Sequence, residues 1–348
     1  MRGIRSSRRI DHEGRRSRGV GAVTIGDGVG TVVRELGACA RALGEESTPR
    51  ETIRTASGLG LRHVEFASPF VISPALDPTA FRALADYGRS LGVRLSCALG
   101  MVSAGHAERT TRFREAGRGD LVAGLSKALR AIGELDTDYV QIVVGTLDDR
   151  YDASVGWPEQ LDATAQLYRN LAPVLTDLSL KLAVKTHEEI TSHEILALVD
   201  AVGSDHLAVA LDPVNLPVRG EDPELATARL APHVGRIHYD DAWITFTGRG
   251  LARRLCPGGQ GDIDWGAIFR ILDGAGSSAP VLVDLHRGEF EMPVCDERWL
   301  LQNSDVSLRE LSILSSRARP DRPPVTATAP RLQAALSELA TMTRGTAA

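Results

Sequence analysis

"LKLAVKTHEEITSHEILALVDAVGSDHLAVALDPVN", residues 180–215, contains two apolar β-branched runs with a helical pattern between them. The first run ends at Lys185, followed by the polar stretch Thr186, His187, Glu188 and Glu189. Thr191 or Ser192 then offers a helix cap with Glu194 in the first turn, and Gly203 closes the pattern. The second run, "HLAVALD", ends at Asp212, with Asn215 just beyond it. Both runs are continuously apolar rather than alternating, as in parallel strands covered on both faces. A strand–helix–strand unit with its polar residues past the strand ends raises one question: why does the polar stretch begin with a lysine?

The same rhythm extends in both directions. Further runs are "GAVTI" (21–25), "RHVEFA" (62–67), "VRLSCAL" (93–99), "YVQIVVG" (139–145), "GRIHY" (235–239) and "PVLVDLH" (280–286), giving eight in all. Helical patterns lie between most of them. "TPRETIRTASGLG" has a Thr cap and a Pro at its first helical position, and "DPTAFRALADYGRSLG" repeats the design with Asp77 as cap. Eight such units predict an α/β fold, a (β/α)8 TIM barrel, which needs about 250 residues. An open doubly wound sheet would carry a glycine-rich turn after its first strand, and "GDGVG" (26–30) matches that only loosely.

The chain has 348 residues, a net charge of -5 and 43% hydrophobic residues, so a globular protein is expected. The mild charge argues against nucleic-acid binding. The absence of a long apolar run argues against a membrane span. Four scattered cysteines fit a reduced, cytoplasmic setting better than a disulfide scaffold. Residues 1–18 read as a basic, disordered arm, residues 19–318 as the barrel, 319–330 as a Pro-rich linker, and 331–348 as a C-terminal helix and tail. That helix would pack on the barrel or on a second subunit, which leaves a homodimer open. A further packing helix is expected around residues 297–315.

Reactive side chains of a barrel gather at the C-terminal ends of its strands. There the sequence offers Glu65, Lys185, His187, Asp212, Asn215, His238, Asp284 and His286. Residues two apart on a strand face the same way, so Lys185 can share a direction with His187, and Asp284 with His286. Asp240 and Asp241 read as solvated loop acids, and His106 as an exposed loop histidine. Arg253 and Arg254 lie on a long loop after the seventh strand, where a substrate phosphate or carboxylate could be clamped.

From residue 182 onward the chain resembles the xylose isomerase-like barrels, the sugar phosphate isomerase/epimerase group. The motifs are "LAVKTH" (182–187), "LDPVN" (211–215), "HYDD" (238–241), "PGGQGDIDW" (257–265) and "VDLH" (283–286). The resemblance implies an isomerase or epimerase that abstracts a proton beside a carbonyl or hydroxyl of a small sugar-like substrate. It also implies a divalent metal (Mn, Mg, Zn or Co) held by one ligand from each of four strands. Carried over, those positions are Lys185, Asp212, His238 and Asp284. The first is a cation, and the lysine of the family's seventh-strand motif is replaced by Asp240. Three readings remain open. A metal stays on Asp212, His238 and Asp284, with His187 or water in the vacant position. Alternatively, the Lys185 ammonium replaces the metal, as in a metal-independent lyase or dehydratase using that lysine as acid/base. Or catalysis is lost and a binding role remains. On these readings Lys185, Asp284, His187 and Glu65 are the catalytic candidates, and Asn215, Arg253 and His286 the substrate-binding ones. The site of a DNA-repair endonuclease, which shares the barrel, would need more His and Glu at strand ends.

Overall fold

A computed structural model of the chain describes residues 22–25, 32–44, 46–321 and 323–344. The basic arm at 1–18 and the "GDGVG" segment lie outside the described residues.

The expected helices form where the capping chemistry places them. Pro49–Gly58 is capped by Thr48 in a reciprocal box with Glu51, and Pro78–Ser90 by Asp77. Ser192–Val202 is capped by Thr191 with Glu194. Each cap satisfies amide groups that the first turn leaves without partners. The apolar faces of the helices pack on parallel strands, in one continuous core that includes Ile53, Phe81, Ile195 and Ile268.

The strands pair in parallel around the barrel. His63–Phe66 lies beside Arg94–Cys97, and Tyr139–Val143, Lys181–Lys185, Leu207–Leu211 and Val234–Tyr239 follow in order. Val281–Val283 joins Val234–Tyr239 to Val32–Cys39. Arg94–Cys97 pairs with the second strand, and Gly100–Met101, just after it, pairs with the fourth. The third strand therefore bends at Ala98–Leu99 and brings the two ends of the sheet together. Along each strand, alternate residues face the axis. His63 and Glu65, Arg236 and His238, and Asp212 and Asp284 belong to this inner set, so the interior is unusually polar.

The structure corrects the position of the first strand. It is Val32–Cys39, and Ala22–Ile25 pairs antiparallel with its first half. Arg34 and Glu35 interrupt the apolar run and mask it in the sequence. Arg34 is nonetheless fully buried, donating to Asp273 at 2.6 Å and to the Ala279 carbonyl at 3.2 Å. The segment after the seventh strand, expected as a loop, is a hairpin of Asp241–Thr247 and Gly250–Cys256, which Phe290–Met292 extends. Glu297–Gln302 and Leu308–Arg317 stand where one helix was expected. Thr328–Arg344 is helical and packs on the barrel, with Ala335 and Leu339 in the main core.

Candidate active site

Lys185 ends the fifth strand, and its side chain points inward with Ala183. Its Nζ lies 2.7 Å from Asp284 Oδ2 and 2.8 Å from Asp212 Oδ2. All three residues are almost fully buried. Burial alone would lower the lysine pKa, but Asp212 and Asp284 outweigh it and hold the group above its ordinary value, so it is an ammonium. Burial would likewise raise Asp284. Lys185, then Arg41 and His286, instead hold it well below the usual carboxylate range.

Around this triad stand two histidines in different states. His286 Nε2 lies 2.7 Å from Asp212 Oδ2, and its Nδ1 lies 2.9 Å from Asp240 Oδ2. Burial disfavours its charge, yet Asp212 raises it above an ordinary histidine. His238 is pushed down to about 3 by burial and by Lys185, so it is neutral. Its Nε2 lies 3.1 Å from Glu65 Oε1. Glu65 is itself ion-paired with Arg236, and Ser96 donates to it at 3.3 Å.

His187 stands apart from the triad. Its ring is gripped by the two glutamates that follow it, with Nε2 2.8 Å from Glu188 and Nδ1 2.5 Å from Glu189. Burial would lower it, but Glu189 and Glu188 raise it to about 10. Both nitrogens are thus committed as donors.

A cavity of about 260 Å³ opens onto this constellation, small even for a ligand pocket. Lys185, His187, Glu65, Asp284 and His286 line it, together with Arg41. Sequence reasoning missed Arg41. It follows the first strand, and that strand had been placed one segment too early. Arg41 Nε donates to Asp284 Oδ1 at 2.6 Å, and its terminal nitrogens have no partner among the described residues. Asn215 and Arg253 are buried behind the cavity, without lining it. Arg253 donates to Asn215 Oδ1 at 2.9 Å and to the Gly288 carbonyl at 3.2 Å, with its guanidinium over Phe290. Arg254, next along the strand, points the other way, to Glu289 and Asp321.

Three side chains read as solvent-facing are not. Asp240 is buried because Arg331 of the C-terminal helix and His286 both bind it. Asp241 is buried because it accepts from the Gly261 and Ala242 amides. His106 is largely covered, beside Asp149 and Asp152, away from the cavity.

Three clusters among the described residues have the donor types of a metal site: Asp212, Asp284 and His286; Cys39, His238 and Asp284; and His187, Glu188 and Glu189. In the first, the atoms that would face an ion are those around the Lys185 ammonium. Among the described residues, no helix is long and apolar enough to cross a membrane.

The chain is 29% identical over 157 residues to the uncharacterized protein YihM of Escherichia coli (strain K12), covering 42% of this chain and 48% of the relative. It is 26% identical over 162 residues to the 3-oxo-isoapionate decarboxylase of Pectobacterium atrosepticum, covering 44% and 54%. The chain thus spans about half the length of the curated relatives it matches. The crystal structure of D-psicose 3-epimerase in the presence of D-fructose superposes with a TM-score of 0.62 at 16% identity, covering 90% of this chain and 99% of that one, a likeness of fold. A family description, xylose isomerase-like TIM barrel, matches residues 53–305. With the strand order, the inward-facing residues and that match in agreement, the chain belongs to the xylose isomerase-like TIM barrel family.

Proposed function

We propose that this protein is an enzyme of the lyase type acting on a small sugar-derived oxo acid, with the Lys185 ammonium standing where the family holds a divalent ion. The observation that carries the reading is the position of Lys185 Nζ, 2.7 Å from Asp284 and 2.8 Å from Asp212. The donor set does not fit a metal in that place. One of the four carried-over ligands is a cation, and the carboxylates favour its charged form, which has no lone pair to donate.

The charge state of Lys185 also selects among lysine chemistries. A Schiff base needs a neutral amine, whereas an ammonium held by two carboxylates serves as a fixed positive hydrogen-bond donor. Such a donor suits a reaction that builds negative charge on a carbonyl oxygen. In a 3-oxo acid the bond between C2 and the carboxyl carbon breaks, carbon dioxide leaves, and the bonding pair passes to the ketone oxygen as an enolate. Lys185 donates to that oxygen. The carbon then takes one proton from solvent, since both ring nitrogens of His187 on the cavity wall are committed to Glu188 and Glu189. Atoms and charge balance without an oxidant or reductant.

Arg41 supports an acid as substrate. Its Nε is committed to Asp284, which leaves a planar fork facing the cavity that matches a carboxylate. The similarity to a 3-oxo acid decarboxylase points the same way. A second reading is epimerisation at the same carbon. It is favoured by the similarity in fold to an epimerase, but it needs acid/base groups on both faces, and the fifth-strand carboxylate is missing.

The test is to incubate the purified protein with a panel of 3-oxo sugar acids in D2O, following carbon dioxide release and deuterium uptake by NMR. The reading expects stoichiometric carbon dioxide with one deuterium at the carbon that lost it. Deuterium uptake with no carbon dioxide would favour epimerisation instead.

A further inference from the structure

Arg331 lies beyond residue 305, where the family match ends, yet it is one of the most deeply buried side chains in the molecule. On its helix it shares a face with Ala335 and Leu339, at spacings of four and eight residues. Those two pack into the main core. A helix that served only to cover the barrel would carry another apolar residue at 331, since burying a guanidinium is costly unless its donors are used.

Both of its terminal nitrogens are used at the active site. Arg331 Nη1 donates to the His286 carbonyl at 2.9 Å, and Nη2 donates to Asp240 Oδ1 at 2.7 Å. Asp240 Oδ2 accepts from the His286 amide at 2.8 Å and faces His286 Nδ1 at 2.9 Å. His286 is thereby held at its carbonyl, its amide and its ring. The free end of the ring, Nε2, lies 2.7 Å from Asp212 Oδ2 and 3.4 Å from Lys185 Nζ. A continuous series of contacts runs from the C-terminal helix to the catalytic lysine. Asp240 occupies the position of the family's lysine, so the cation lost there is returned by Arg331 from another part of the chain.

We propose that the C-terminal helix is a working part of the active site, and that Arg331 is a positioning residue: through Asp240 it fixes the ring of His286 against Asp212 and Lys185. The placement assumes nothing about the substrate, while its consequence for turnover rests on the function proposed above. A partner that orients a site histidine in this way changes activity about 10- to 100-fold when removed.

The experiment uses the full-length chain with 15N-labelled histidine, as wild type, Arg331→Met, Arg331→Lys and Asp240→Asn, with His286→Gln to assign the signal. Long-range 1H–15N spectra read the ring of each histidine. The His286 signals are expected to shift or broaden in Arg331→Met and Asp240→Asn and to recover partly in Arg331→Lys, with those of His106 and His206 unchanged. With the substrate, kcat should fall about 10- to 100-fold in Arg331→Met with little change in KM. Wild-type His286 signals in a folded Arg331→Met protein would overturn the proposal, because the helix would then only be packing. Should Arg331→Met fail to fold, Asp240→Asn decides: unchanged His286 signals overturn the proposal. The spectra need no substrate, so altered signals without any turnover of oxo acids would count against the proposed reaction alone.

Discussion

The Lys185 ammonium lies 2.7 Å from Asp284 Oδ2, on the wall of the barrel cavity. The two residues are 99 positions apart and both are almost fully buried. Neither charge is tolerable there alone. Removing one member of a buried pair costs about 3–5 kcal/mol, because the remaining charge has lost both water and partner.

Lys185→Ala is therefore expected to lose stability as well as activity. Asp212 and Asp284 would face each other with only Arg41 and His286 beside them, and the loss of Lys185 would raise both carboxyls. A carboxylate raised in this way destabilises the fold relative to wild type above its unfolded pKa, and protonation relieves it. The deficit of Lys185→Ala relative to wild type, measured by urea unfolding, should shrink as the pH falls from about 8 towards about 5. Turnover should drop about 10²- to 10³-fold, the usual effect of removing a donor to a developing oxyanion.

Arg41→Gln should act on binding. The variant keeps a polar side chain, shorter than arginine, and loses the charged fork. KM for an oxo acid is expected to rise about 10- to 100-fold, from the loss of a charge-assisted hydrogen bond of about 1.5–3 kcal/mol. Uncharged sugars should bind wild type and variant alike, as inhibition constants would show.

His187 gives a pH signature. The glutamates raise it in the folded state to about 10, while in the unfolded chain it titrates near 6.5. A group raised by folding contributes stability that is complete below its unfolded pKa and disappears as the pH passes the folded value. The stability difference between wild type and His187→Gln should be constant below about pH 6 and decline steadily towards about pH 10. A difference that grows with pH would show that the imidazole is not held as a cation.

Much of this site could be read from the order of residues, because strand ends and period-two alternation are local properties. Lys185, Asp212, His238, Asp284 and His286 all follow from knowing where their strands stop. Arg41 did not, since Arg34 and Glu35 disguise the strand before it as a polar segment. The hairpin at 241–256 was missed too, although "TGRG" (247–250) between two strand-like runs is a turn signal. Asp240 and Arg331 are 91 positions apart, and their pairing follows from the docking of a helix after a Pro-rich stretch. No local pattern encodes it. Arg253 was legible as a cation near the site, but its partners Asn215 and Phe290 become visible only once the hairpin folds over.

The charged lysine and a divalent ion are rivals for one negative pocket, so titration calorimetry with Mn2+ on wild type and Lys185→Glu is the most direct test. The substitution puts a carboxylate in place of the ammonium. The account predicts no stoichiometric Mn2+ binding to wild type, clear binding to Lys185→Glu, and loss of the wild-type activity in that variant. A wild-type protein that binds one Mn2+ as tightly as Lys185→Glu, and depends on it for turnover, would contradict it.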